Sequence, residues 1–193
     1  MRIIAATQNK HKLEEIYQII KDFDMELVSQ AEVGLGDIDV EENGTTCEEN
    51  SKIKAEAICK LSGEPAIADD TGLFVDALGG EPGVNTARYA GVHGDDAANR
   101  KKLLENLNGK PFEERTAAFV TVITLVYPDG KTIVARGECK GHISLEEIGD
   151  HGFGYDSVFI PLESDKTFAQ LPSEFKNSVS HRARALQRLA QLL

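Results

Sequence analysis

The chain has 193 residues, 41% of them hydrophobic and 27% charged, enough for one substantial core. Its formal net charge is −11. That balance repels a phosphate backbone and excludes a general nucleic-acid binder, while leaving room for a small anionic substrate gathered by local cations or a metal. No stretch approaches the ~20 apolar residues that span a membrane. The three cysteines, Cys47, Cys59 and Cys139, form no C-x-x-C pair or zinc pattern, which suits reduced thiols in a cytoplasmic protein.

The apolar run at residues 2–6 is too short for a signal peptide and reads as a first strand. A polar loop follows, with Thr7 and Asn9 as helix-capping types, and then Leu13, Ile16, Ile19 and Ile20 at helical spacing. Residues 25–28 read as a second strand. Thr46-x-x-Glu49 is a capping-box pattern opening a helix that buries Ile53, Ala57, Ile58 and Leu61. Pro65-Ala66-Ile67-Ala68 reads as a short buried strand that stops at Asp69-Asp70, and a glycine-rich segment runs from Gly79 to Gly91. Asp95 or Asp96 caps the next helix, with Leu103, Leu104 and Leu107 inward and Gly109 as its stop.

Two β-branched strands, roughly Thr116–Tyr127 and Lys131–Cys139, are joined by the hairpin-type Pro128-Asp129-Gly130. Gly152-Phe153-Gly154-Tyr155-Asp156 leads into the apolar run Val158-Phe159-Ile160. Val179, Ala183, Leu186, Leu189, Ala190 and Leu193 form the stripe of one last helix. The sum is an α/β chain with a mixed central β-sheet flanked by helices, and nothing in the composition divides residues 1–193 into more than a single domain.

Ligands in open α/β sheets gather beyond the C-terminal ends of strands. Two polar clusters sit at such ends: residues 7–12, and Asp69-Asp70-Thr71-Gly72. The adjacent aspartates point to opposite faces of an extended chain. They suit Mg²⁺, which takes oxygen ligands and often only one or two carboxylates, with Glu41 or Glu42 as a second donor. They equally suit a loop start whose carboxylates accept backbone N–H groups. Lys176, Arg182, Arg184 and Arg188 against Glu174 make a basic stretch in an acidic chain, either an anion site or a complement to a helix dipole. Phe153 between glycines suits stacking on a flat ring, or ordinary core packing. The P-loop pattern and the dinucleotide fingerprint after a strand are both absent.

Taken in order, these segments resemble one family. Its blocks are Thr7-x-Asn9-x-x-Lys12, Glu41 before Asn43-Gly44, Glu49-Asn50-x-x-x-Lys54-Ala55 and Asp69-Asp70-Thr71-Gly72-Leu73. They continue with Ala87-Arg88-Tyr89-x-Gly91, Gly152-Phe153-Gly154-Tyr155-Asp156 and Lys176-Asn177-x-x-Ser180-His181-Arg182. The chain resembles the inosine triphosphate pyrophosphatases, also called dITP/XTP pyrophosphatases, over nearly its whole length.

The resemblance implies two lobes with an active-site cleft between them, a homodimer and a Mg²⁺ cofactor. It implies hydrolysis of deaminated purine nucleoside triphosphates (ITP, dITP, XTP) to the monophosphate and pyrophosphate, which cleanses the nucleotide pool. Asp70 aligns with the catalytic acid and, with Glu41, with the metal ligands. Thr7, Asn9, Lys12 and Lys54 align with groups that hold the triphosphate, and Gln8, Lys10 and His11 share that loop. Thr71 aligns with a substrate-contacting serine, Phe153 with the base-stacking residue, and Gly154, Tyr155 and Asp156 with the rest of its loop. Lys176, His181 and Arg182 align with the groups that read the base. The chain departs from the family pattern at Thr71 for Ser, Asn85-Thr86 for Tyr-Ser, Ser157 for Pro and Ala183 for Gly.

Overall fold

The computed structural model describes residues 1–21 and 23–193. Its strands are β1 (Arg2–Ala5), β2 (Glu26–Ser29), β3 (Ala66–Val75), β4 (Pro82–Gly83), β5 (Thr116–Val126), β6 (Thr132–Ile143) and β7 (Phe159–Pro161). Its α-helices are α1 (Lys10–Ile20), α2 (Cys47–Ser62), α3 (Asp96–Asn106), α4 (Ser173–Val179) and α5 (His181–Leu192). Strand order is β2-β1-β3-β5-β6-β7, with β4 paired to β3. The sheet is mixed: β1 pairs parallel with β2 and β3, while β4 and β7 join antiparallel. The expected α/β class holds.

Two compact units divide the chain. The first comprises Met1–Asp70, Thr121–Gly137 and Arg182–Leu193. Its β1 shows why an apolar tetrapeptide makes a strand here. Alternate side chains leave a strand on opposite faces, so Ile3 and Ala5 enter one core while Ile4 and Ala6 enter another. Ile67 parts from Ala66 and Ala68 in the same way. The first core is closed by Ile16 and Ile20 of α1 and Leu186 and Leu189 of α5, the second by Ala55, Ile58 and Cys59 of α2. A sheet covered on both faces needs the continuous apolar runs that β1 and early β3 carry. Each fully buried Ile or Leu contributes about 1.5–3 kcal/mol, and Ile58→Ala would remove the side chain that fills the α2 side.

The second unit comprises Thr71–Val120 and Glu138–His181. Leu73 and Val75 from β3, Leu103 and Leu107 at α3, and Phe119, Phe159 and Phe168 form its core. Phe159 lies between Phe119 (ring centroids 4.6 Å apart) and Phe168 (5.5 Å). Leu103 and Leu107 are buried, with Leu104 packed at the edge, as the spacing predicts.

α2 buries Ile58 as expected but leaves Leu61 exposed, and two further elements differ in extent. The strand expected to stop at Ala68 runs on to Val75, so Asp69 and Asp70 lie within a strand rather than beyond it. Lys12 and Arg182 neutralise the Asp69 carboxylate where it stands in the strand. The single C-terminal helix is two helices, broken at Ser180, whose backbone is extended (φ −66°, ψ 159°). The stripe from Val179 to Leu186 keeps helical spacing across that break, which conceals it. No described helix is long and apolar enough to cross a membrane.

Candidate functional site

In the first unit β1 ends at Ala5 and the chain turns through Thr7–Asn9 into α1. Asn9 caps the helix: its Oδ1 accepts the N–H groups of His11 (3.0 Å) and Lys12 (3.2 Å). Thr7 Oγ1 accepts the Asn9 N–H at 3.2 Å. Gln8 Nε2 donates to the carbonyls of Gly36 (3.1 Å) and Ile38 (2.8 Å), tying this loop to the next. Lys10 and His11 are exposed, whereas Lys12 is half-buried and reaches Asp69 Oδ2 at 3.2 Å.

Asp69 and Asp70 leave β3 in different directions, as an extended chain requires. Asp69 faces cations from two helices: Lys12 of α1 and Arg182 of α5, whose Nη2 donates to its Oδ2 at 2.9 Å. Glu15, one turn after Lys12, takes the other side of the Arg182 guanidinium. Burial alone would raise the Asp69 pKa, but the charges of Lys12, Arg182 and Lys54 together hold it well below the usual carboxylate range. This carboxylate is ionised and committed to its partners.

Asp70 is the opposite case. Burial pushes its pKa up, Lys54 and Lys12 pull it down, and the nearby Glu42 and Asp69 charges push it up again, leaving it above the ordinary value. α2 presents one face to it. Asn50 Nδ2 lies 3.3 Å from Asp70 Oδ2, and Lys54 Nζ lies 3.9 Å from Asp70 Oδ1. The Asn50 amide is oriented by the Gly44 N–H, which donates to its Oδ1 at 2.8 Å. Lys54 also donates to the Asp69 carbonyl at 2.7 Å and pairs with Glu42 at 3.1 Å. Cys47, in the first turn of α2, has its thiol pushed up to about 12 by burial and then by the Asp70 charge.

The arrangement separates two glutamates that residue chemistry alone leaves equivalent. Glu42 reaches the Lys54–Asp70 group, while Glu41 is exposed. Asn50 and Glu15 are the members that sequence reasoning gave no role, and Glu42 entered it only as an alternative to Glu41. The i, i+4 spacing of Asn50 and Lys54 was the available signal for Asn50. No group of three or more His, Cys, Asp or Glu side chains converges among the described residues. The donor set still fits Mg²⁺ arriving with a polyphosphate. Asp70 supplies a hard carboxylate oxygen, carboxylates stand at 41 and 42, and Mg²⁺ ordinarily takes only one or two from protein, completing its shell with phosphate and water.

In the second unit the Gly152–Asp156 loop is tightly built. Asp156 Oδ2 accepts the Phe153 N–H at 3.1 Å and Lys176 Nζ at 2.6 Å. A Cβ at Gly152 would stand 2.1 Å from that same oxygen, so only glycine fits. Tyr155 is buried and its hydroxyl donates to the Thr86 carbonyl at 2.7 Å. Phe153 is half-buried, with Lys176 Nζ 4.7 Å from its ring centroid, a cation–π distance. Gly154 N–H donates to Asp96 Oδ2 at 2.9 Å. His181 is 3% exposed and stacked on Phe119 (4.6 Å, 16°).

Lys176, Phe153 and Asp156 are thus brought together. The Arg182 guanidinium is instead taken up by Asp69 and Glu15 in the first unit. Thr71, half-buried, follows Asp70 on β3. The Thr86 hydroxyl, at one of the departures from the family pattern, accepts the Leu73 N–H at 2.8 Å.

These features define an α/β protein in which one buried carboxylate is neutralised by cations and its neighbour is held at raised proton affinity. The chain belongs to the Ham1 family, whose model matches residues 3–192. It is 48% identical over 194 residues to a dITP/XTP pyrophosphatase of Clostridium perfringens, covering 97% of this chain and 95% of that protein. To the dITP/XTP pyrophosphatase of Bacillus subtilis it is 45% identical over 190 residues, covering 98% and 96%. Among solved structures it is similar to the Ham1 protein of Staphylococcus aureus, with TM-score 0.87, 41% identity and 100% and 97% coverage. The HAM1 protein of Coxiella burnetii gives TM-score 0.88 at 37% identity, with 100% and 98% coverage.

Proposed function

We propose that the chain hydrolyses deaminated purine nucleoside triphosphates (dITP, XTP and ITP) to the monophosphate and pyrophosphate, with Mg²⁺. In this role it clears such nucleotides from the cytoplasmic pool, working as a homodimer. The chain is a hydrolase of the nucleoside triphosphate pyrophosphatase class. The observation that carries this reading is Asp70: a buried carboxylate whose proton affinity is raised by that burial, beside the cations Lys54 and Lys12.

A general base works best when its pKa lies near the operating pH, and raising a carboxylate moves it that way. Asp70 takes a proton from the water that attacks the α-phosphorus. The water oxygen bonds to phosphorus as the bond from phosphorus to the bridging oxygen breaks, and pyrophosphate leaves with that electron pair. Lys12 and Lys54 stabilise the charge that develops on the departing group. Asn50 orients Asp70 through its amide, and Thr7 and Asn9 shape the loop that meets the phosphates. Asp70 and Glu41 would hold Mg²⁺. When bound, it offsets the phosphate charge that would otherwise repel the carboxylates.

Phe153 stacks on the base. Lys176 and His181 offer donors to an O6 acceptor, and an adenine amino group would meet donor with donor, leaving buried groups unpaired at ~1–3 kcal/mol each. Arg182, paired with Asp69 and Glu15, braces the site beside them.

The test is pyrophosphate release from dITP, XTP, ITP, GTP, ATP and dTTP, with Mg²⁺ and with chelator. Release that depends on Mg²⁺ and favours the first three over ATP and dTTP is expected. Release from pyrimidines alone would overturn the base assignment, and no release from any nucleotide by folded protein would overturn the activity.

A further inference from the structure

α3 carries two charged side chains aimed at the Gly152–Asp156 loop, and neither belongs to the motifs above. Asp96 and Arg100 stand at i and i+4, on one helix face. The Gly154 N–H donates to Asp96 Oδ2 at 2.9 Å, and Arg100 Nη1 donates to the Gly154 carbonyl at 2.8 Å. Both polar groups of one backbone residue are therefore held by charged side chains of one helix, through the stronger, charge-assisted kind of hydrogen bond. The guanidinium also forms an ion pair with Glu147, with Arg100 Nε 3.1 Å from Glu147 Oε1. Gly154 has φ +60° and open space where a Cβ would be. Contact does not hold it, and glycine has the most backbone freedom to lose. What fixes it is the pair of hydrogen bonds from α3.

We propose that Asp96 and Arg100 are positioning residues. They hold the two peptides flanking Gly154 in the conformation that receives the purine ring, and so set KM and base discrimination. The proposal rests on the reading of Phe153 as the stacking residue. A loop ordered in advance loses less freedom when the nucleotide binds, so releasing it weakens binding without touching the reacting phosphates.

Steady-state kinetics with dITP and dATP in Mg²⁺, on Asp96→Ala and Arg100→Met alongside Phe153→Ala, test it. Each clamp variant is expected to raise KM for dITP about tenfold, the effect of losing one charge-assisted hydrogen bond, with a much smaller change in kcat. The preference for dITP over dATP in kcat/KM should narrow. Asp96→Asn keeps a side-chain acceptor and Arg100→Lys keeps a donor, so both should recover most of the lost affinity, which a merely structural effect tracking Tm would not produce. If Phe153→Ala raises KM while the clamp variants, folded by circular dichroism, match the parent, the clamp is overturned and the base site stands. If Phe153→Ala leaves KM unchanged, the base-site reading falls and the proposal with it.

Discussion

Arg182 Nη2 donates to Asp69 Oδ2 at 2.9 Å, and its Nε reaches the same oxygen at 3.3 Å, so the first turn of α5 is pinned to the middle of β3. Both side chains are 1% exposed. Removing one partner of such a pair leaves the other charge buried without compensation, a loss of ~3–5 kcal/mol. Asp69→Asn is expected to lose stability on that scale in urea denaturation. The acid limb should change as well. The folded-state pKa of Asp69 is lowered, so its contribution is complete above the unfolded value of 3.8 and lost as pH falls through the folded one. Wild type should weaken below about pH 4 by this route and Asp69→Asn should not. Identical acid limbs would refute the assignment.

Asp70 should respond in the opposite sense. Its raised proton affinity means that the fold disfavours its charge. Asp70→Asn is therefore expected to be at least as stable as the parent while kcat falls ~10²–10⁴-fold, the range for a lost general base. Thermal unfolding and single-turnover kinetics on one preparation read both quantities. Near-parental turnover would remove Asp70 from the mechanism.

Lys54 lowers the Asp70 pKa. Lys54→Met deletes that cation, so Asp70 should hold its proton to higher pH. The acidic limb of the kcat profile is expected to move upward, with KM for the triphosphate rising as a phosphate contact is lost. A limb that stays in place would separate Lys54 from Asp70.

All three cysteines are buried. The Cys47 pKa is raised from 9.0 to about 12 by burial and by the Asp70 charge, so its reactive thiolate is scarce at neutral pH. Iodoacetamide at about pH 8 is expected to spare native Cys47 and to modify it readily in urea, by mass spectrometry. The raised pKa means the folded state keeps the proton. The associated stability is full below 9.0 and lost as pH climbs toward about 12. Rapid native labelling would contradict the burial.

The opening strand, loop and helix were legible because Asn9 is a capping residue and Ile16 and Ile20 keep helical spacing. The α2 start was legible from Thr46, whose hydroxyl accepts the Glu49 N–H at 3.1 Å. Glu49 itself closes the box differently, on the Thr45 N–H at 2.6 Å. The opposed directions of Asp69 and Asp70 followed from strand periodicity. Their place inside β3 did not, because the cations that let charge sit there come from Lys12 and Arg182, remote in sequence. The family pattern singles out Glu41, whereas the pairing of Glu42 with Lys54 appears only in the structure. The break at Ser180 carries neither Gly nor Pro, and its one local sign is a residue type that caps helix N-termini. The grip of α3 on Gly154 spans 58 and 54 residues, beyond any local rule.

α3 holds a second segment besides Gly154. Asn99, 1% exposed, accepts the Ala90 N–H at 2.7 Å and donates to the Ala87 carbonyl at 3.1 Å, and Lys102 donates to the Tyr89 carbonyl at 2.8 Å. Two loops distant in sequence thus hang from one eleven-residue helix, and they share a failure mode. Fraying of its first turn on mild heating would release Gly154 and the Ala87–Ala90 turn together, so the protein would forget its ligand at a temperature where its β-sheet still reads as folded.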